Sequence, residues 1–162
     1  MKKILCALML MCMIVSCAWG EVRINATNFP DGAFRVYISK NFDKDSDGLL
    51  SDAEIAGATE ISINNLDAIS SLQGVKYFTA LTDLHCYATE LTELDVSGCT
   101  ALEYLVCSNN ELTSLDASGC TSLKELGCGN NPLTTLDISG CTALEALGCG
   151  WTKLTELDVS HC

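Results

Sequence analysis

The fold is decided by LTELDVSGCTALEYLVCSNNE from Leu91, LTSLDASGCTSLKELGCGNNP from Leu112, LTTLDISGCTALEALGCGWTK from Leu133 and LTELDVSHC from Leu154. The segment repeats itself every 21 residues. A looser copy, ISSLQGVKYFTALTDLHCYATE, starts at Ile69 and runs one residue longer. Before it, Ile61-Ser62-Ile63-Asn64-Asn65 reads as a degenerate half-rung. A unit this short cannot bury its own leucines, so neighbouring rungs must stack to share a core. Such a stack offers surface rather than a pocket, which points to binding before catalysis.

Inside each unit, L-x-x-L-x-(L/C)-x-x-N-x-L is the pattern of a leucine-rich repeat solenoid of short parallel strands. The inner strand lies at x-L-x. Its outward side chains are Asp83, His85 and Tyr87, then Tyr104, Val106 and Ser108, then Glu125, Gly127 and Gly129, then Ala146, Gly148 and Gly150, with Trp151 just beyond. Asp83, His85, Tyr87, Tyr104, Val106 and Trp151 are the candidate ligand contacts, because aromatic residues anchor interfaces. Four strands of three outward residues cover about 10 by 20 Å, roughly 200 Å², against about 800 Å² per partner in a standard interface. The strip alone is too small for a tight complex.

Three columns follow from the period. Cys86, Cys107, Cys128 and Cys149 replace an inward leucine; Cys99, Cys120, Cys141 and Cys162 end the Ser-Gly-Cys turn on the opposite side of the coil. Equivalent positions lie about 4.8 Å apart with parallel Cβ vectors. A disulfide needs Cβ atoms at roughly 3.8 Å and side chains turned together. These eight cysteines therefore read as reduced thiols packing the core. A linear column is also a poor tetrahedron for zinc. The third column, Asp95, Asp116, Asp137 and Asp158, reads as turn-edge aspartates bonding amides beside Ser97, Ser118, Ser139 and Ser160. The asparagine position holds Asn110 and Asn131 but Thr89 and Thr152 elsewhere, which predicts looser outer rungs.

At the N-terminus, Lys2 and Lys3 precede an apolar run over residues 4–15, the pattern of a secretory leader and too short to span a bilayer. Two cleavage readings stay open. Ile14-Val15-Ser16-Cys17 is a lipobox that would leave Cys17 lipidated; Ala18-Trp19-Gly20 suits ordinary signal peptidase. Without the leader, 7 basic residues face 21 acidic ones, a net charge of −14 where the full chain carries −12. Nucleic acid is excluded as a partner on that charge, and membrane contact is left to a lipid anchor.

Some carboxylates are organised. The sequence DKDSDGLLSDAE from Asp43 matches a twelve-residue EF-hand loop at each constrained position. Asp43, Asp45 and Asp47 supply carboxylates for calcium, Leu49 its carbonyl, Ser51 its hydroxyl (often through water) and Glu54 a bidentate closure, with Gly48 making the sharp turn. Phe34, Ile38 and Phe42 form one stripe of an entering helix beginning near Pro30, and Ser51-x-x-Glu54 is a capping box for a short exiting one. No second loop is present for Leu50 to pair with, which argues against a calmodulin-like sensor. The reading is a small α-helical cap on the apolar end of the solenoid.

On Asn28-Phe29-Pro30-Asp31, the loop of residues 43–54 and the L-x-x-L-x-C-x-x-N rungs, the chain resembles bacterial exported leucine-rich repeat proteins whose N-terminal segment contains an EF-hand, over roughly residues 28–162. Its repeat organisation is similar to that of internalins. The resemblance implies a right-handed horseshoe and a role in protein–protein or cell-surface contact. The expected organisation is a leader over 1–20, an EF-hand cap over 21–60 and repeats over 61–162. The last rung stops at Cys162 without a polar cap, so either a longer protein, the favoured reading, or pairing of the last rung with another chain is expected.

No G-x-S-x-G, phosphate loop or H-E-x-x-H occurs, and His85 and Cys86 point to opposite faces of a strand, so no enzyme is expected. The reading is an exported calcium-binding scaffold, at the cell surface or secreted, recognising a protein or glycan. Two alternatives stay beside it: a spacer using calcium for stability alone, favoured by the glycine-rich late rungs, and a dockerin-like tag, weakened by having one calcium loop.

Overall fold

The computed structural model describes residues 21–64 and 69–160. The leader, Cys17, His161 and Cys162 lie outside the described residues.

Residues 60–64 and 69–160 form a β-solenoid. Its inner sheet has five parallel strands, β3 (Glu60–Ser62), β4 (Asp83–His85), β5 (Tyr104–Val106), β7 (Glu125–Gly127) and β9 (Ala146–Gly148), in that order. The register follows the repeat: Leu84 stands against Leu105, Leu105 against Leu126 and Leu126 against Leu147. Each strand is three residues long because one inward leucine is what a rung contributes there; the flanking residues face out. The half-rung at Ile61 pairs with Leu84 as the first strand, as its sequence suggests.

A second ladder runs along the other side. Strands β6 (Ser114–Asp116) and β8 (Thr135–Asp137) pair in parallel, Leu115 against Leu136. The aspartate column, read from sequence as a turn edge, occupies the last residue of these strands at Asp116 and Asp137. Its hydrogen bonding is nonetheless the expected one: Ser97, Ser118, Ser139 and Ser160 donate their backbone N–H to Asp95, Asp116, Asp137 and Asp158 at 2.9 to 3.2 Å. Glycine ends this turn for a packing reason. A Cβ at Gly98 would sit 2.1 Å from the Lys76 carbonyl oxygen, and one at Gly140 1.8 Å from that of Ser118.

Leucines and both cysteine columns fill the space between the ladders. Cys86, Cys107, Cys128, Cys99, Cys120 and Cys141 are buried with Leu84, Leu105, Leu126, Leu102 and Leu123. Burial fades along the stack, and Leu144, Leu147, Cys149 and Leu154 are half-buried, since no described rung covers them. The asparagines hold the bends. Asn131 donates to the carbonyls of Cys107 and Cys128 and accepts from the Leu112 N–H at 3.0 Å. Of the two threonine rungs, the first is not loosened. Thr89 is buried, and its hydroxyl bonds Cys86 and the Asn110 side chain, so the next rung's asparagine covers the deficit.

The N-terminal segment packs on the first rung. Helix α1 (Gly32–Asn41) starts two residues after Pro30 and buries Phe34 and Ile38. Phe42, at its C-cap, lies 5.2 Å from Phe78 between ring centroids. Asp31 caps α1 through the Phe34 N–H at 2.8 Å, while its other oxygen accepts from Ser70 and Ser71. One side chain thus ends a helix and ties it to the solenoid. Burial raises the Asp31 carboxyl, but these bonds outweigh it and leave the group below the usual carboxylate range.

Candidate functional site

Between α1 and the short helix α2 (Asp52–Gly57) lies the acidic loop. Asp43 is 7% exposed and accepts from the N–H groups of Asp47 and Gly48, both at 3.1 Å. Asp45 accepts from Asp47, and Asp47 from the Leu49 N–H at 2.8 Å. Gly48 has φ +81°, the left-handed turn expected of it. These bonds wind the loop so that one carboxylate oxygen from each of Asp43, Asp45 and Asp47 falls within 4.8 Å of the others. Three hard carboxylate oxygens this close together make up half of the smallest shell, six oxygens, that calcium accepts.

Ser51 and Glu54 are arranged differently from the expected ligand shell. They make the full capping box of α2: the Glu54 N–H donates to Ser51, and the Ser51 N–H and hydroxyl donate to Glu54 at 2.9 and 2.8 Å. The other Glu54 oxygen accepts from the Lys44 N–H at 2.6 Å. Glu54 thus bridges both arms of the loop but stands outside the three-aspartate cluster. The Ser51 backbone N–H, with those of Lys44 and Asp45, holds its carboxyl below the usual range despite some opposing burial.

Leu50 has a partner that sequence reasoning missed. Strand β1 (Val22–Arg23) pairs antiparallel with β2 (Leu49–Leu50), Val22 against Leu50, and the Ile24 N–H reaches the Gly48 carbonyl at 3.0 Å. The chain's own N-terminal residues take the place of a second loop. A two-residue strand carries too little pattern to be read in advance.

On the inner sheet, the expected outward residues do face out. Asp83, His85, Tyr104 and Val106 are half-buried, Tyr87 is 40% exposed and Trp151 is 88% exposed. Asp83 accepts from the Thr82 hydroxyl at 2.6 Å. Trp151 has φ +58°, in a column with Ala88, Asn109 and Asn130, all left-handed. Asparagine tolerates that conformation; a bulky residue there is strained. The charged neighbours are partly paired: Lys124 binds Glu103 at 2.6 Å, and Lys76 binds Asp95 on the outer ladder at 2.7 Å.

The thiols at Cys86, Cys99, Cys107, Cys120, Cys128 and Cys149 are free, and the Cys141 Sγ donates to the Ala117 carbonyl at 3.2 Å. Burial pushes Cys86, Cys99 and Cys128 up to about 12 and Cys120 to about 11. Thiols held protonated in this way are poor nucleophiles and act as packing groups.

Residues 100–141 match the family of Leucine Rich repeats (2 copies). Among curated proteins none matches the chain with significance. Among solved structures, the functional domain of InlJ from Listeria monocytogenes, which includes a cysteine ladder, superposes with a TM-score of 0.76 at 35% identity. That match covers 87% of this chain and 31% of the other, so this chain spans about a third of its length. Internalin inlF of the same organism matches with a TM-score of 0.63 at 20% identity, over 88% of this chain and 49% of that one. Internalin C2 does so with 0.63 at 22%, over 86% and 73%. Residues 100–141 are thus leucine-rich repeats, and the chain is similar in fold to the internalins of Listeria.

Proposed function

We propose that this chain is an exported leucine-rich repeat scaffold that recognises a protein or glycan at a bacterial cell surface, with its N-terminal segment acting as a calcium-bound EF-hand cap. Trp151 carries the recognition reading. An indole that is 88% exposed packs little, and its left-handed backbone costs on the order of 1 kcal/mol. No contact among the described residues repays that cost, whereas an exposed tryptophan beside an open sheet is what a binding surface needs. The likeness to the InlJ domain supports the same class of function.

In the cap, Asp43, Asp45 and Asp47 would hold calcium, with the Leu49 carbonyl, Ser51 and Glu54 completing the shell. The ion would supply charge neutralisation for a crowded loop; the residues' own part is to keep α1 seated on the first rung.

Cleavage after Gly20 leaves Trp151 as the one tryptophan of the processed chain, whereas a chain beginning at Cys17 keeps Trp19 as well. In that form a Trp19→Phe variant is used, and the remaining fluorescence reports on the proposed face. Titration with surface-protein ectodomains and with a glycan panel should yield a ligand that shifts the emission to the blue. Trp151→Ala should then weaken that ligand at least about tenfold, as an interface anchor does. Ligands that bind with no change in emission would rule out this face as the recognition surface. Intact mass of the native protein checks export: loss of the leader is expected, by cleavage after Gly20 or with a diacylglyceryl group on Cys17, and a retained Met1 would refute it.

A further inference from the structure

Two glycines of the inner sheet are not demanded by any contact among the described residues. In the outward column that begins Ser62, His85 and Val106, the next two residues are Gly127 and Gly148. A Cβ at Gly127 would meet nothing nearer than 3.6 Å, and one at Gly148 nothing nearer than 3.8 Å. Neither has a left-handed backbone. Val106, register partner of Gly127, shows that a branched side chain fits on this face. The neighbouring Gly129 is a useful contrast, since a Cβ there would stand 2.8 Å from the Gly150 carbonyl oxygen. Glycine weakens a strand through entropy and lost packing, and in a regular strand without a bulge or a positive φ it marks a place where a ligand or another backbone approaches closely. The bare backbone forms the floor of an open groove of about 390 Å³, bordered by Tyr104, Val106, Glu125 and Ala146.

The charge of the face selects the occupant. Among the described outward positions of β3, β4, β5, β7 and β9 and the residues two beyond each strand, the charged ones are Glu60, Asp83 and Glu125, with no lysine or arginine. Lys124, the nearest basic residue in sequence, is held by Glu103. Glu125 lies beside Tyr104 in register. A neutral saccharide would leave the Glu125 carboxylate uncompensated; a cation satisfies it and also favours the face of an aromatic ring.

We propose that the groove floored by Gly127 and Gly148 receives a lysine or arginine side chain of a protein partner, its aliphatic stem on the glycine backbone and Val106 and its charge between Glu125 and Tyr104. Long basic side chains lay their stems on apolar surface in this way. The inference rests on the recognition reading above and narrows it to a polypeptide with a basic anchor. It also changes the meaning of the late glycines, which in sequence favoured a spacer.

The test follows backbone amide shifts of the full ¹⁵N-labelled chain with three probes: a blocked Ser-Lys-Ser-Lys-Ser-Lys peptide, its glutamate counterpart and chitohexaose. The lysine peptide should shift the amides of Glu125, Gly127 and Gly148 saturably, and the other two should not. Gly148→Val should abolish the shift while melting at or above the wild-type temperature. Glu125→Gln, an exposed change that keeps the test open if Gly148→Val does not fold, should weaken binding about fivefold, the upper range for an exposed charge pair. A saturable shift with chitohexaose in place of the lysine peptide overturns the basic anchor and leaves surface recognition standing. Silence of all three probes at these amides, or a lysine response unchanged in either variant, overturns the groove itself; the Trp151 fluorescence experiment decides the broader reading separately.

Discussion

Asn131 is 2% exposed and bonds the backbone at three places in two adjacent rungs, through the carbonyls of Cys107 and Cys128 and the N–H of Leu112. Asn131→Ala leaves these groups buried without a partner, at about 1 to 3 kcal/mol for such a loss. Urea denaturation should show a loss of about 3 kcal/mol for Asn131→Ala and a smaller one for Thr152→Ala, whose hydroxyl bonds a single carbonyl at Cys149. Equal losses would mean that the asparagine is replaceable by neighbouring backbone. The cysteines give a pH signature. Their ordinary value is 9.0, and burial raises Cys86, Cys99 and Cys128 to about 12 and Cys120 to about 11. A raised folded pKa means that stability is complete below the unfolded value and is lost as pH rises through the folded one. Each thiol then removes up to about 1.4 kcal/mol per pH unit inside that window. The melting temperature should be flat from pH 7 to 8.5 and fall steeply between pH 9 and 11. Native alkylation at pH 8 should label half-buried Cys149 first, and rapid labelling of Cys107 would contradict the packing.

The helix–loop–helix element is held by two kinds of bond. Phe34, Ile38 and Phe42 seat α1 by apolar contact, and Asp31 pins its start to residues 70 and 71. The loop between works against them: Asp43, Asp45, Asp47, Asp52 and Glu54 put five carboxylates within twelve residues, and like charges at close range repel. A lone site of extracellular type binds calcium with a Kd of about 0.1 to 1 mM. At tenfold excess over Kd, mass action adds about 1.4 kcal/mol. Calcium should therefore raise the melting temperature by several degrees over chelator. Glu54→Gln should lose most of that shift while keeping the capping box, since glutamine can serve at the same helix position. A wild-type protein melting at one temperature in calcium and in chelator would show that the cap does not depend on the ion.

Across the molecule, stability should be graded. Each rung is supported by its two neighbours, so a solenoid behaves as a chain of nearest-neighbour terms. Rungs through Leu126 are covered on both sides, while Leu144, Leu147 and Leu154 are half-buried and Leu157 is exposed. Hydrogen exchange should be slowest at the amides of Leu84 and Leu105 and faster at Leu147, following local opening rather than global unfolding. Uniform protection from β4 to β9 would mean that the C-terminal rungs are supported by something other than their neighbours. Among the described residues, no helix is long and apolar enough to cross a membrane.

The 21-residue period carried the register, the inward leucines, the two cysteine columns and the outward strip, because in a stack of identical units sequence offset and spatial neighbour are one relation. The turn of the acidic loop was legible because it is local to twelve positions, and Gly48 adopts the backbone its motif requires, while Ser51 and Glu54 cap α2 and stand apart from the three aspartates. What lacked a period lay outside that reading. The bonds from Asp31 to Ser70 and Ser71 span about forty residues, and the pairing of Val22 with Leu50 joins two strands of two residues each. The outer ladder at Ser114–Asp116 and Thr135–Asp137 shows in the sequence only as a column of turn-edge aspartates, since one inward leucine between polar neighbours has too short an alternation to mark a strand. Whether a glycine is demanded by its neighbours or leaves a floor open also depended on atoms from adjacent rungs, which separate Gly98 and Gly140 from Gly127 and Gly148. Local pattern sets what repeats or closes on itself; contacts between distant, unrepeated segments exist once the chain has folded, and only the tertiary structure decided them.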